Sequence, residues 1–150
     1  MVFAMAAPLE IPTTPDRVVR LRTRWSDEDS QGVLNNAVSL TLFEEARRAL
    51  FDELELFDAD GNFPFLLAST RADFRSPGRG GVEVDVEIST THLGRSSFTQ
   101  AYRIRSLEGV AWTEGTATLV CYDPETRESR PMTDGFRTQL AASCLHATES

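Results

Sequence analysis

A polar segment at residues 26–36 carries the residue types best suited to chemistry. It reads SDEDSQGVLNN, so three acids, Asp27, Glu28 and Asp29, precede Gly32 and the start of a predicted helix. A helix N-terminus offers unpaired backbone N–H groups and partial positive charge, which suit a developing oxyanion. A carboxylate held beside it could attack a carbonyl polarised there, or activate water towards that carbonyl.

The same segment also has a purely structural interpretation. Acidic residues ahead of a helix stabilise its dipole, and Asp, Ser and Gly are common loop residues. Residue types and spacing alone favour this structural interpretation over a catalytic one.

The elements that must position this segment follow from hydrophobic periodicity. An apolar stripe of Leu40, Phe43, Ala46, Leu50 and Leu54 predicts a helix over 37–56, and strict or partial alternation predicts five strands. On the opposite helix face, Glu44 and Arg48 have the spacing of an ion pair. The strands are expected over residues 17–25, 65–75, 82–88, 97–105 and 110–122, with a turn at 58–62 and a short helix at 134–142.

The order of these elements predicts an α+β fold in one domain spanning residues 1–150. Short turns join antiparallel neighbours, so the last four strands should form a meander or nearly one, packed against the long helix. Residues 1–16 contain three prolines and are expected to be an irregular arm, and residues 141–150 a flexible tail.

Composition limits the classes of partner. The 150 residues carry a net charge of −8, which disfavours nucleic acid and anionic membranes, and no apolar run reaches the ~20 residues of a membrane span. All 15 basic residues are Arg, the side chain suited to bidentate phosphate recognition, although codon bias explains most of them. Two cysteines form no disulfide framework, and neither His92 nor His146 has metal-ligand spacing. We therefore expect a cytoplasmic protein without a metal site.

The segment Asp27-Glu-Asp29-Ser-Gln-Gly32-Val33-Leu34-Asn35-Asn36, followed by Phe43-Glu-Glu-Ala-Arg47, resembles a known family. It is similar to the hotdog-fold acyl-CoA thioesterases of the 4-hydroxybenzoyl-CoA thioesterase type, in particular their long-chain acyl-CoA branch. The similarity covers about residues 17–140. It implies a hotdog fold, a five-stranded antiparallel sheet wrapped around one long helix, and hydrolysis of an acyl-CoA to free acid and CoA.

The resemblance also assigns catalytic roles. Asp29 takes the position of the catalytic carboxylate, as nucleophile or as base for the hydrolytic water. The backbone N–H that polarises the thioester carbonyl falls at or beside Gly32, where the helix is expected to begin. Asn35 and Asn36 match the pair that shapes the loop and the helix start.

Coenzyme A phosphates are bound in this family by basic residues of a turn that corresponds to residues 94–97. The resemblance therefore places Arg95, with Ser96 beside it, first among the arginines. Arg75 and Arg79 are weaker candidates, and a solvated surface role is at least as favoured for each arginine. Coenzyme A enters as part of the substrate, and no metal or redox cofactor is implied. Sites of this family form between two subunits, so we expect a homodimer or a homotetramer.

Two departures from the family pattern support an alternative function. Val33 stands where the family has His, and Ser39 replaces an aromatic residue, which would enlarge or rewet the acyl pocket. The alternative is a non-catalytic acyl-CoA-binding or regulatory hotdog protein. A hydratase is disfavoured because neither histidine lies in a fitting motif.

Some hotdog thioesterases carry their catalytic carboxylate on the central helix, which makes Glu44 and Glu45 candidates. A buried structural pair between a helix Glu and Arg47 is the favoured interpretation.

Overall fold

The computed structural model describes residues 7–57 and 61–150. Residues 1–6 of the expected arm and 58–60 of the expected turn lie outside this part of the chain. The elements are β1 (Arg17–Arg22), α1 (Asn36–Glu53), β2 (Phe65–Phe74), β3 (Glu83–Leu93), β4 (Ser97–Ser106), β5 (Ala111–Cys121), α2 (Asp134–Ala142) and β6 (Thr148–Glu149).

The sheet confirms the predicted α+β architecture and corrects its strand order. The order is β1-β3-β4-β5-β2, all antiparallel, with β6 added parallel to β3 as a sixth strand. Only β3, β4 and β5 form the expected meander. β2 lies beyond β5 because its connection to β3, residues 75–82, is longer than a tight turn and crosses the end of the sheet. β2 is therefore an edge strand.

The long helix begins almost where the sequence predicts. The Asn35 side chain caps it by accepting the Ala37 N–H at 3.0 Å, and the helix ends at Glu53, shortly before Glu55 adopts a left-handed φ of 55°. The buried face differs from the predicted stripe, since Leu40 is 40% exposed and Ser39 is buried. The buried face of α1 is thus rotated relative to the predicted apolar stripe. Hydrophobic periodicity could not show this, because the buried face includes polar residues that form hydrogen bonds in the interior.

Arg47 is the second polar residue on this buried face. It does not form the expected pair with a glutamate: its Nη1 donates to the Tyr102 hydroxyl at 2.8 Å, and that hydroxyl donates to Gln100 at 2.7 Å. Glu44 and Glu45 are exposed. Neither forms an ion pair with any described residue, and the expected Glu44–Arg48 pair is absent from the same part of the chain. Burial raises the pKa of Tyr102 to about 12, so its hydroxyl stays neutral and can donate.

The chain after β1 also departs from prediction. The strand ends at Arg22, and a single 3-10 turn, Trp25–Asp27, replaces its last residues. Trp25, the last residue of the expected strand, is 82% exposed. The turn reverses the chain, because Asp27 N–H donates to the Arg24 carbonyl at 3.0 Å, so the alternation of the strand no longer applies.

The C-terminal residues expected as a tail lie along β3. The His92 ring is within 2.8 Å of the Thr148 hydroxyl and 2.9 Å of the Ser150 hydroxyl. The buried Asp16 carboxylate accepts the backbone N–H of Thr90 at 2.7 Å and that of Leu145 at 2.9 Å. One carboxylate thus ties the end of the arm, β3 and the C-terminal segment together. Among the described residues, no helix has the length and hydropathy that a bilayer crossing requires.

The Phe43 side chain of α1 packs directly against Gly115 on β5. A Cβ built there would lie 2.5 Å from a Phe43 ring carbon and 2.7 Å from the Arg71 carbonyl oxygen. The Phe43 ring stacks on Tyr102, with ring centroids 4.6 Å apart. The missing side chain of Gly115 therefore leaves the space that the Phe43 ring occupies.

We expect Gly115→Ala to lower the free energy of unfolding by about 1–3 kcal/mol, because the added methyl group overpacks this contact. Urea unfolding followed by circular dichroism measures the change. Gly135 in α2 is the matched control: a Cβ there meets nothing within 4 Å, and alanine favours the helix by up to about 1 kcal/mol. Equal effects of the two substitutions would contradict the packing argument.

Candidate active site

The acidic segment folds into a small hairpin that carries Asp29. Glu28 and Leu34 pair as an antiparallel bridge, and the Asp29 N–H donates to the Val33 carbonyl at 2.8 Å. The tip closes through Gly32, whose φ of +73° favours glycine and whose N–H donates to the Asp29 carbonyl at 3.0 Å. The prediction that Gly32 stands at the start of the helix is wrong, because its N–H is used in this turn and α1 begins at Asn36.

Asp27 anchors the base of the hairpin. Its side chain is buried, and its Oδ2 accepts the Arg24 N–H at 2.7 Å. Its carbonyl accepts the Asn35 N–H at 2.8 Å, which links the start of the hairpin to the helix cap. Both ends of the hairpin are therefore fixed, and the chain between them is a short closed loop.

The hairpin docks on the connection between β2 and β3 through one main-chain bond and one bond to a carboxylate. The Leu34 N–H donates to the Gly78 carbonyl at 3.0 Å, and the Gly80 N–H donates to the Glu28 carboxylate at 2.9 Å. A Cβ at Gly80 would lie 2.4 Å from the Arg24 carbonyl oxygen, and one at Gly78 would lie 2.9 Å from Leu34 Cβ. This contact exists only because both positions are glycine.

Asp29 is exposed at the outer side of this hairpin. Its Oδ1 accepts the Gln31 N–H at 2.8 Å, which fixes the side-chain orientation. Its Oδ2 has no hydrogen-bond partner within residues 7–57 and 61–150. One carboxylate oxygen is thus held, and the other is available to water or to a substrate.

The N-terminus of α1 lies next to the same hairpin. Asn35 accepts the N–H groups of Ala37, through its side chain, and of Val38, through its carbonyl at 2.9 Å. The first helical residue, Asn36, lies ahead of these capped groups, and N–H groups of a first turn have no intrahelical acceptor. The Asn36 N–H is therefore left without an acceptor in the described part of the chain.

A cleft of about 230 Å³ opens between this helix end, β2 and β5. The hairpin borders it through Val33 and Leu34, whereas Asp29 itself is not among its lining residues. The opposite wall comes from the sheet and the β2–β3 connection. Its lining residues there are Phe74, Arg75, Ser76, Pro77, Gly78, Trp112 and Thr113.

Arg75 and Arg79 lie near this cleft in different settings. The Arg75 guanidinium borders it and is paired with Glu114, Nε to Oε1 at 3.2 Å, so its charge is already matched. Arg79 is exposed and borders a second cleft of about 420 Å³, on the other side of Trp112. Its guanidinium has no partner in the described part of the chain.

Arg95 and Ser96 lie at the far end of the molecule. The Ser96 carbonyl accepts the Cys121 N–H at the end of β5, eight residues from Thr113 beside the cleft, which at ~3.3 Å per residue is about 26 Å. The Arg95 side chain is exposed and has no partner among the residues described. Within one chain, the structure does not bring these two residues to Asp29.

The cysteine thiols are protonated, and the histidine rings are hydrogen-bonded to other parts of the chain. Burial raises the pKa of Cys121 and of Cys144 to about 11, so both are protonated at neutral pH. His92 is bonded at both ring nitrogens, and His146 Nε2 lies 2.9 Å from the Thr14 carbonyl oxygen. Within residues 7–57 and 61–150, no three His, Cys, Asp or Glu side chains form a group that could hold a metal ion.

Sequence reasoning missed the far wall of the cleft. Phe74, Trp112 and Thr113 come from strands whose register the sequence does not specify, and no local pattern distinguishes them from other strand residues. The signal that could have been used is the pair Gly78 and Gly80, since glycines without a turn requirement indicate close backbone approach.

Comparison with known proteins identifies the family to which this fold belongs. A family model described as the thioesterase-like superfamily matches residues 23–140. A 1,4-dihydroxy-2-naphthoyl-CoA hydrolase from Synechococcus elongatus is 29% identical over 122 residues, which cover 78% of this chain and 89% of that protein.

Solved structures show the same fold. A thioesterase from Thermus thermophilus, complexed with coenzyme A and Zn, superposes with a TM-score of 0.74 at 26% identity, covering 88% of this chain and 96% of that one. A predicted thioesterase from Bacillus stearothermophilus superposes with a TM-score of 0.77 at 23% identity, covering 86% and 96%. The fold expected from the resemblance is confirmed, with one additional short strand, and the chain belongs to the thioesterase-like superfamily.

Proposed function

We propose that this protein hydrolyses the thioester bond of an acyl-coenzyme A, releasing the free acid and CoA. The observation that carries the proposal is the Asp29 carboxylate, held by one oxygen and open at the other, on a hairpin that borders an apolar cleft. The N-terminus of α1 opens into the same cleft at Asn36. The thioester carbonyl would lie between these two features, with the acyl group in the cleft.

Two versions of the chemistry are consistent with this arrangement. In the first, Asp29 accepts a proton from water as the water oxygen bonds to the carbonyl carbon; in the second, the carboxylate itself attacks and water hydrolyses the resulting anhydride. The carbonyl oxygen gains negative charge in both. The Asn36 N–H and the positive end of α1 stabilise that charge, the C–S bond then breaks, and the CoA sulfur leaves and takes up a proton.

Replacement of Asp29 tests the proposal against a non-catalytic acyl-CoA-binding role. We expect Asp29→Asn to lower kcat by about 10²–10⁴-fold on every acyl-CoA that the wild type hydrolyses, because the amide cannot accept the proton. Release of free thiol from a panel of acyl-CoAs measures the rate. Asp52→Asn, at an exposed α1 position away from the cleft, is the control and should keep full activity.

Two outcomes would contradict the proposed mechanism at Asp29. One is equal thiol release by the wild type and Asp29→Asn. The other is a wild type that releases thiol from no chain length, which would favour the non-catalytic role.

We propose that the complete site forms in a homodimer through the β2 edge. β2 exposes Leu66 (55%) and Leu67 (49%), and an edge strand has unpaired backbone groups that can bond a second strand. If two copies of β2 pair antiparallel, the Phe65 end of one strand lies beside the Phe74 end of the other. The Arg95 turn of one copy would then lie at the same end as Asp29 of the other. A homotetramer would be built from two such dimers.

A charge on this edge tests the dimer. We expect Leu67→Arg to give a monomer in light-scattering chromatography and to lose thioesterase activity, because buried arginine has no partner at a β2–β2 junction. Val110→Arg, in the β4–β5 turn, is the matched control, since Val110 is also 49% exposed. A Leu67→Arg variant that remains dimeric would place the interface elsewhere.

Coenzyme A phosphates are assigned to Arg95, with Ser96 beside it and Arg79 as a further cation. We expect Arg95→Ala to raise KM for acyl-CoA about tenfold or more, because a charge-assisted hydrogen bond to phosphate is lost. KM for the corresponding pantetheine thioester, which has no nucleotide phosphates, should change little. Arg95→Lys should fall between the wild type and Ala. An equal rise in KM for both substrates would remove Arg95 from the site.

We further propose that the reaction takes place in the cytoplasm without a metal or redox cofactor. Hydrolysis by a carboxylate and water requires neither, and CoA takes part only as the substrate's leaving group. The two cysteines are free thiols, the form that a reducing compartment maintains. A net charge of −8 disfavours nucleic acid or anionic membrane as a partner.

A further inference from the structure

The buried end of the active-site cleft contains two hydroxyl groups. Ser39 on α1 and Thr113 on β5 are each 2% exposed, and their hydroxyl oxygens lie 3.1 Å apart. Both residues line the cleft of about 230 Å³. The family pattern has an aromatic residue at the position of Ser39, so a small polar group here replaces a large ring.

A count of protons shows that this pair is incomplete. Each hydroxyl has one proton, and the bond between the two oxygens uses one of them. Neither oxygen forms another hydrogen bond with any residue in 7–57 or 61–150. One O–H donor therefore remains without a protein acceptor at a buried position, where polar groups are normally paired.

The other polar side chains that line the cleft are Asn36, Arg75 and the half-buried Ser76. Asn36 is exposed at the mouth, and the guanidinium of Arg75 is paired with Glu114. The walls between the mouth and the hydroxyl pair are mostly apolar. They are formed by Val33, Leu34, Phe74, Pro77 and Trp112.

We propose that the cleft selects acyl groups that carry an oxygen substituent, a hydroxyl or a keto group, away from the thioester. This inference rests on the proposed function: with the thioester at Asn36, the acyl group extends inward and its oxygen accepts the spare proton of the Ser39–Thr113 pair. A volume of about 230 Å³ exceeds the ~150 Å³ of a cavity that binds benzene, so one ring or a short chain fits.

The same geometry disfavours acyl groups that lack the oxygen. An alkyl or phenyl group that fills the cleft displaces water and leaves the buried donor unpaired. A site that hydrogen-bonds a substrate hydroxyl strongly rejects an analogue that lacks this group. An apolar pocket rejects an analogue with an added hydroxyl much less strongly. The hydroxyl pair is therefore a specificity-determining feature of the substrate site.

The test compares kcat/KM for matched thioesters that differ by one oxygen. The substrates are butanoyl-CoA against 3-hydroxybutanoyl-CoA and acetoacetyl-CoA, and benzoyl-CoA against the hydroxybenzoyl-CoA isomers. We expect the wild type to prefer an oxygenated member of at least one set by about tenfold, the value of roughly one hydrogen bond. Ser39→Ala and the nearly isosteric Thr113→Val should bring that ratio close to one.

Thr118→Val is the matched control. Thr118 lies on the same strand, and its hydroxyl is 3.5 Å from that of Thr99, outside the cleft. Its removal should leave the ratio as in the wild type. The ratio of kcat/KM values separates specificity from a general loss of activity. A variant that only folds less well loses activity on both substrates by the same factor, so its ratio does not change.

Two results would overturn the inference while leaving the proposed hydrolysis intact: a wild type that prefers no oxygenated acyl group, or a preference that persists in both variants. A wild type that hydrolyses no thioester defeats the proposed function instead. Calorimetric binding of the free hydroxy acids and their deoxy counterparts then decides, and equal affinities would overturn the inference.

Discussion

The backbone contact between the Asp29 hairpin and the β2–β3 connection is the constraint on which the site depends. It joins three parts of the chain that are distant in sequence: the acidic segment, the end of the edge strand β2, and the cap of α1. The bonds from Leu34 to Gly78 and from Gly80 to Glu28 hold these parts in one arrangement. The cleft lies beside this junction, which fixes the position of its Val33 and Leu34 wall relative to the wall formed by Pro77 and Gly78.

Much of the fold could be predicted from the sequence because its signals are local. The apolar spacing on α1 located the helix within a few residues, and strict alternation located β3. The position of β2 could not be predicted, because it depends on a crossover that leaves no periodic signal. The interior partners of Arg47 and the 3-10 turn at Trp25 were missed for a related reason, since polar contacts and chain reversals override periodicity.

Part of the candidate site could likewise be predicted from a local motif, and part of it depends on the three-dimensional structure. The motif predicted Asp29 and the Asn35–Asn36 pair within one continuous segment, and the structure places Asp29 on the hairpin and the two asparagines where the hairpin joins α1. It could not reveal that the Gly32 N–H is consumed in a turn, because that requires the coordinates of the tip. The separation of Arg95 from Asp29 depends on sheet topology. The hydroxyl pair at Ser39 and Thr113 depends on which strand faces the helix end.

The tip of the hairpin is held by main-chain N–H groups and not by the side chains of Ser30 and Gln31. Gln31 holds the Asp29 carboxylate through a main-chain N–H, and Gly32 closes the loop through another. Ser30 and Gln31 are exposed, and replacement of their side chains would leave these main-chain bonds intact. A Cβ at Gly78 or Gly80, in contrast, would meet neighbouring atoms and disturb the junction beneath the hairpin. The orientation of the Asp29 carboxylate is therefore encoded in the main chain and not in the identity of the neighbouring side chains.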